Sequence, residues 1–122
     1  MVDENVIDSL FLEGKKYFQD GNFYDAHESW EDLWSDYYVM DHKYIQGLIQ
    51  LSVSFFHLQN ANLKGAKSLM KKCLQKFELF DGTQRGINVT LLKTRLQQVQ
   101  KEYHTITNTD EFNWSLVPDL DA

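Results

Sequence analysis

The segment His27-Glu28-Ser29-Trp30-Glu31-Asp32-Leu33-Trp34 holds the side chains best suited to chemistry. On a helix advancing about 100° per residue, Glu31 falls about 40° from His27, so the pair shares the edge of one face. Trp30 and Trp34 fall on the apolar arc with Phe23, Ala26, Leu33 and Tyr37, while Glu28 and Asp32 turn toward water. An imidazole beside a carboxylate can shuttle protons, share a metal with a third ligand, or satisfy a half-buried histidine. The segment is not H-E-x-x-H, because Glu31 stands where that motif has its second histidine.

A second set of polar residues follows. Gln46, Gln50, Val53 and His57 are spaced four, three and four apart and form one helical stripe flanked by Gly47 and Ser54. If that stripe faces the first segment, His27, Glu31, Gln46, Gln50 and His57 converge between two helices, where bundles build ligand and metal sites. A metal site then needs His27, Glu31 and His57 to meet, with water completing the shell. Acid–base chemistry needs Glu31 held in a low-dielectric pocket beside Trp30 and Trp34. The alternative assigns both indoles to the core, with Glu31 or a glutamine accepting their N–H groups. It also makes His57 a packing residue, Cys73 inert, and Lys64, Lys67, Lys71, Lys72 and Lys76 a solvated face. No G-x-S-x-G, phosphate loop or dinucleotide fingerprint is present.

Positioning these groups falls to helices. The chain has 122 residues and its only proline is Pro118, so nothing forbids long helices before it. Apolar spacing predicts a first helix over residues 4–20, broken by Asp20-Gly21-Asn22. A second runs from Phe23 to Tyr37, and Asp41 and Asn62 cap a third and a fourth. Residues 80–86 read as a loop, a fifth helix spans about 87–104, and the tail 105–122 is pinned to the bundle by Trp114. No stretch alternates long enough to be a strand. The expectation is an all-α fold: one domain over residues 1–122, a compact bundle of about five helices built from antiparallel hairpins. A shift of forty residues places Asn22 on Asn62 and Ala26 on Ala66, a partial repeat. In the first hairpin, Gly14, Tyr17, Gly21, Ala26 and Trp30 follow a tetratricopeptide-like pattern.

Twelve basic against eighteen acidic residues give a net charge of −6, which argues against nucleic acid and anionic membranes as partners. One cysteine excludes an internal disulfide and a cysteine zinc site. The acidic start Met1-Val2-Asp3-Glu4-Asn5 does not resemble a secretory signal, and no apolar run approaches membrane-span length. A reducing cytoplasm is the expected location.

With these residues in view, the chain resembles the small all-helical family known as domain of unknown function 309. The resemblance rests on the Gly21-Asn22-Phe23 turn, the H-E-x-W-E-x-x-W helix of His27 to Trp34, and Gln46-Gly47-Leu48-Ile49-Gln50. His57 and Gly65-Ala66 also fit, over roughly residues 10–80. Ser52 and Val53 stand where alanines are usual, and the basic residues before the second motif are reduced to Lys43. The resemblance implies a helical fold and no particular activity.

Three functions are compatible with the pattern. The first is a binding or adaptor domain that holds a small molecule or protein segment at His27, Glu28, Trp30, Glu31, Trp34, Gln46, Gly47, Gln50 and His57. The second is a hydrolase-like enzyme, metal-assisted or not, with Glu31 as base and His27 as proton carrier or ligand. The third is a buried polar network, with protein contacts made on the outer surface. The pattern requires no cofactor, and a divalent metal belongs only to the second.

Overall fold

The computed structural model describes residues 4–121. The acidic start read at Met1 to Asp3 lies outside them. Five helices form a bundle: α1 (Glu4–Gln19), α2 (Phe23–Asp36), α3 (His42–Gln59), α4 (Leu63–Phe77) and α5 (Val89–Thr105). Among the described residues no helix is long and apolar enough to cross a membrane.

Each helix buries the stripe its spacing defines. Ile7, Phe11, Gly14 and Phe18 of α1 pack on Ala26, Trp30 and Leu33 of α2. A Cβ at Gly14 would overlap Trp30 Nε1 and lie 2.6 Å from the adjoining ring carbons, so glycine is what lets the indole lie against α1. Two turns express the forty-residue offset. After α1, Gly21 is left-handed and the Asn22 N–H donates to the Tyr17 carbonyl at 2.8 Å. After α3, Ala61 is left-handed and the Asn62 N–H donates to the His57 carbonyl, also at 2.8 Å. Both are six-to-one closures of a helix end. The Asn62 side chain then caps α4 by accepting from the Gly65 N–H at 2.8 Å.

The third helix starts differently from the expectation. Asp41 occupies the N-cap position but makes no side-chain cap bond. Its carboxylate instead accepts from Arg85 Nε at 2.7 Å and Nη2 at 2.9 Å. A guanidinium offers a charge-assisted, two-pronged partner that outcompetes a backbone N–H. Arg85 sits in a segment read as plain loop. It is a two-stranded ribbon, with β1 (Thr83–Gln84) antiparallel to β2 (Ile87–Asn88). Arg85 and Gly86, at φ 49° and 78°, supply the left-handed pair that a two-residue hairpin turn needs.

Polar contacts also fasten α5. Ser54 Oγ donates to the Ala66 carbonyl at 2.7 Å and lies 3.0 Å from Tyr103 Oη, joining α3, α4 and α5. The tail crosses the ends of α1 and α3 as two short 3-10 turns, Thr109–Glu111 and Trp114–Leu116. Its buried residues include Ile106, Phe112, Pro118 and Leu120, whereas Trp114, the expected pin, is 42% exposed and stacks on Phe23 with ring centroids 6.3 Å apart. The indole covers the buried Phe23, Phe55 and Phe112 rings with one side and leaves the other to water.

Candidate functional site

The His27–Glu31 pair forms as its spacing requires. His27 Nε2 lies 2.7 Å from Glu31 Oε2, and Nδ1 lies 3.2 Å from the Tyr24 carbonyl. Both ring nitrogens therefore face acceptors, which a neutral imidazole can serve only one at a time. The surroundings differ from the low-dielectric pocket expected for an acid–base carboxylate. The Glu31 side chain is 55% exposed, because α2 turns that edge away from α1 and toward water.

The two indoles separate. Trp30 is fully buried and its Nε1 donates to the Phe11 carbonyl at 3.1 Å, so neither Glu31 nor a glutamine is its acceptor. Trp34, expected in the core, is 38% exposed. One turn beyond Trp30, it has rotated about 40° away from α1 toward the outer edge of α3.

The stripe on α3 does not face α2. A Cβ on Gly47 would touch Phe77 and Lys76 of α4, and the His57 ring lies against Gly65. His57 Nδ1 lies 3.3 Å from Asn62 Nδ2 at the start of α4. Gln46 and Val53 lie half-buried on the outer crest of α3, with Gln50 between that crest and α4. The Gln50 Oε1 atom is buried without a hydrogen-bond partner. His27 and Glu31 thus meet each other and not Gln46, Gln50 or His57. Among the described residues no group of three His, Cys, Asp or Glu side chains is placed to hold a metal ion. Helical spacing defined the stripe correctly, but the side of α3 it occupies depends on which way α4 folds back.

The α2 edge is extended by a residue outside the sequence motif. Tyr24 is 50% exposed, with its ring 5.4 Å from that of His27 and 5.4 Å from that of Phe56 on α3. Tyr24, His27, Glu31 and Trp34, spaced three, four and three, form one stripe along the groove between α2 and α3. A notch of about 270 Å³ opens beside it, lined by Tyr24, His27, Glu28, Glu31, Asp32 and Ser35. Only the three-four spacing marked Tyr24 in the sequence. Three larger grooves, about 590 Å³ beside Arg85, 550 Å³ between Phe23 and Trp114 and 430 Å³ between Phe18 and Pro118, lie away from the His27–Trp34 and Gln46–Gln50 segments.

Residues 11–69 match a family described as Domain of unknown function (DUF309). The matched stretch runs from Phe11 in α1 to Leu69 in α4 and includes both motif segments. No curated protein matches the chain.

Proposed function

Taking residues 11–69 as a DUF309 domain, we propose that the chain is a binding module whose α2 edge receives a cationic protein segment. The observation that carries this is the placement of two half-exposed aromatic rings, Tyr24 and Trp34, on either side of the His27–Glu31 pair. A Lys or Arg head group entering the notch meets the carboxylates of Glu28, Glu31 and Asp32, and the Tyr24 ring that lines it attracts the same charge, with Trp34 beyond the notch on the same stripe. His27, held by Glu31 and the Tyr24 carbonyl, fixes the Glu31 carboxylate in place. Exposed ion pairs and cation–π contacts each contribute about 0.5–1 kcal/mol, and association costs several kcal/mol, so binding of an isolated peptide is weak.

A capped tetra-arginine peptide tests this, titrated into labelled protein while amide resonances are followed. Saturable shifts confined to Tyr24, His27 and Ser35 are expected, and they should vanish in Glu28→Lys/Glu31→Lys. Shifts scattered over other acidic surface, or unchanged in that variant, would refute the assignment.

A further inference from the structure

The outer face of the bundle has three parallel stripes with opposite charge on its two sides. The outer edge of α2 carries exposed Glu28 and Glu31. On α4, Gly65, Leu69, Lys72 and Lys76 are spaced four, three and four. Its ends are fixed against α3, since Gly65 meets His57, and Lys76 Cβ lies 3.1 Å from where a Gly47 Cβ would stand. Between the two charged edges lies the crest of α3, where Ile49, Val53 and Phe56 leave part of their apolar surface uncovered beside half-buried Gln46, Gln50 and His57. A neutral centre of mixed apolar and polar groups with a charged rim is the anatomy of a non-obligate protein interface.

From this arrangement we infer that the cationic segment received by the α2 edge is α4 of a second copy of this chain, in a two-fold dimer. The inference rests on the binding role proposed for that edge. Both α2 and α4 run antiparallel to α3, so they run parallel to each other. A two-fold axis parallel to α3 therefore stacks crest on crest and lays α2 of each copy over α4 of the other. The axial positions agree. Tyr24 is level with Phe56, so seven residues on Glu31 is level with Ile49. Gly65 is level with His57, so seven residues on Lys72 is level with Gln50. Glu31 and Lys72 thus differ by one residue of helix rise, about 1.5 Å, and a rotation about that axis preserves the match. Leu69 is level with Val53, three residues of rise from Tyr24 on the facing helix, so it is the nearest apolar side chain of that α4 stripe to Tyr24. The alternative axis, perpendicular to α3, would lay acidic α2 on acidic α2 and is disfavoured by like charge.

The face is three helices wide and as long as α3, roughly 20 Å by 27 Å, or about 500 Å² per copy. That lies at the small end of specific interfaces and predicts a weak, salt-sensitive dimer. Sedimentation equilibrium of the whole chain tests it at protein concentrations from about 10 to 500 μM. At low salt the mass should rise from 14.4 kDa toward twice that value, and it should fall back at high salt. Glu28→Lys/Glu31→Lys and Lys72→Glu/Lys76→Glu should each remain monomeric alone, with unchanged circular-dichroism melts. Mixed one to one they should associate again, because each copy then offers the charge the other lacks. A wild-type monomer throughout the range, or no association in the mixture, overturns the inference. If the arginine peptide still binds the α2 edge in that case, the binding role stands and the partner is a different protein. If the mixture associates while the peptide fails to bind, the dimer stands and capture of extended cationic segments does not.

Discussion

The short His27–Glu31 contact sits where water can compete for it, so its effect on stability is small even at 2.7 Å. Glu31→Gln should shift the melting temperature by no more than about 3 °C in either direction, corresponding to less than about 1 kcal/mol. Calorimetry on the two proteins checks this, and a drop of 8 °C would show that the pair holds the fold. The same substitution should weaken binding of the arginine peptide severalfold, since the notch loses one of its three carboxylates. At this scale spacing was a sound guide to which side chains adjoin along one helix. It placed Glu31 on His27 and kept Glu28 and Asp32 in water. It could not place Trp34, because an angle around α2 says nothing of how far α1 and α3 reach to cover that ring.

Elements are joined by contacts that local sequence signals assign to other tasks. Asp41 has the residue type and position of a cap, yet its carboxylate is bound by Arg85, forty-four residues away. The guanidinium also lies over the Phe11 ring, 5.5 Å from its centroid, and its charged form is favoured by the hydrogen bonds it donates to Asp41. A double-mutant cycle on Asp41→Ala and Arg85→Ala should return a coupling of about 1–2 kcal/mol in urea unfolding. Additive losses would mean that the pair does no more than either residue alone. Helix boundaries were legible because Gly21, Asn22 and Asn62 punctuate the apolar stripes. The Asp41–Arg85 link was not, because pairing between distant segments leaves no periodic trace. The direction of the Gln46 to His57 stripe escaped for the same reason.

For the molecule as a whole, the tail closes the bundle. Asp121 pairs with Lys15 and accepts from Gln19 Nε2 at 2.7 Å, and Lys15 foremost holds its carboxyl below the usual aspartate range. Because the folded value is lowered, the stabilising contribution is complete above the ordinary value of 3.8 and is lost as pH falls through the lower folded value. Amide exchange at Leu120 should therefore accelerate in Asp121→Asn at neutral pH, with Phe55 in the core unaffected. Equal exchange in both proteins would show that the tail's buried side chains alone hold it. The contact among Ser54, Ala66 and Tyr103 has a consequence of another kind. Ser54 has a single proton, and the Ala66 carbonyl takes it, so the phenol must be the donor in the bond to Ser54. The two ends of that bond are therefore unequal. Removing the phenol oxygen leaves serine its carbonyl partner, whereas removing the serine strands a proton in the core. Leu92, Leu96 and Val99 would tolerate α5 rolling about its long axis, since aliphatic contacts have little directionality. The phenol does not tolerate it, and so one oriented proton in the core, together with the Lys93 bond to the Phe80 carbonyl at 2.7 Å at the rim, restricts the azimuth of an entire helix.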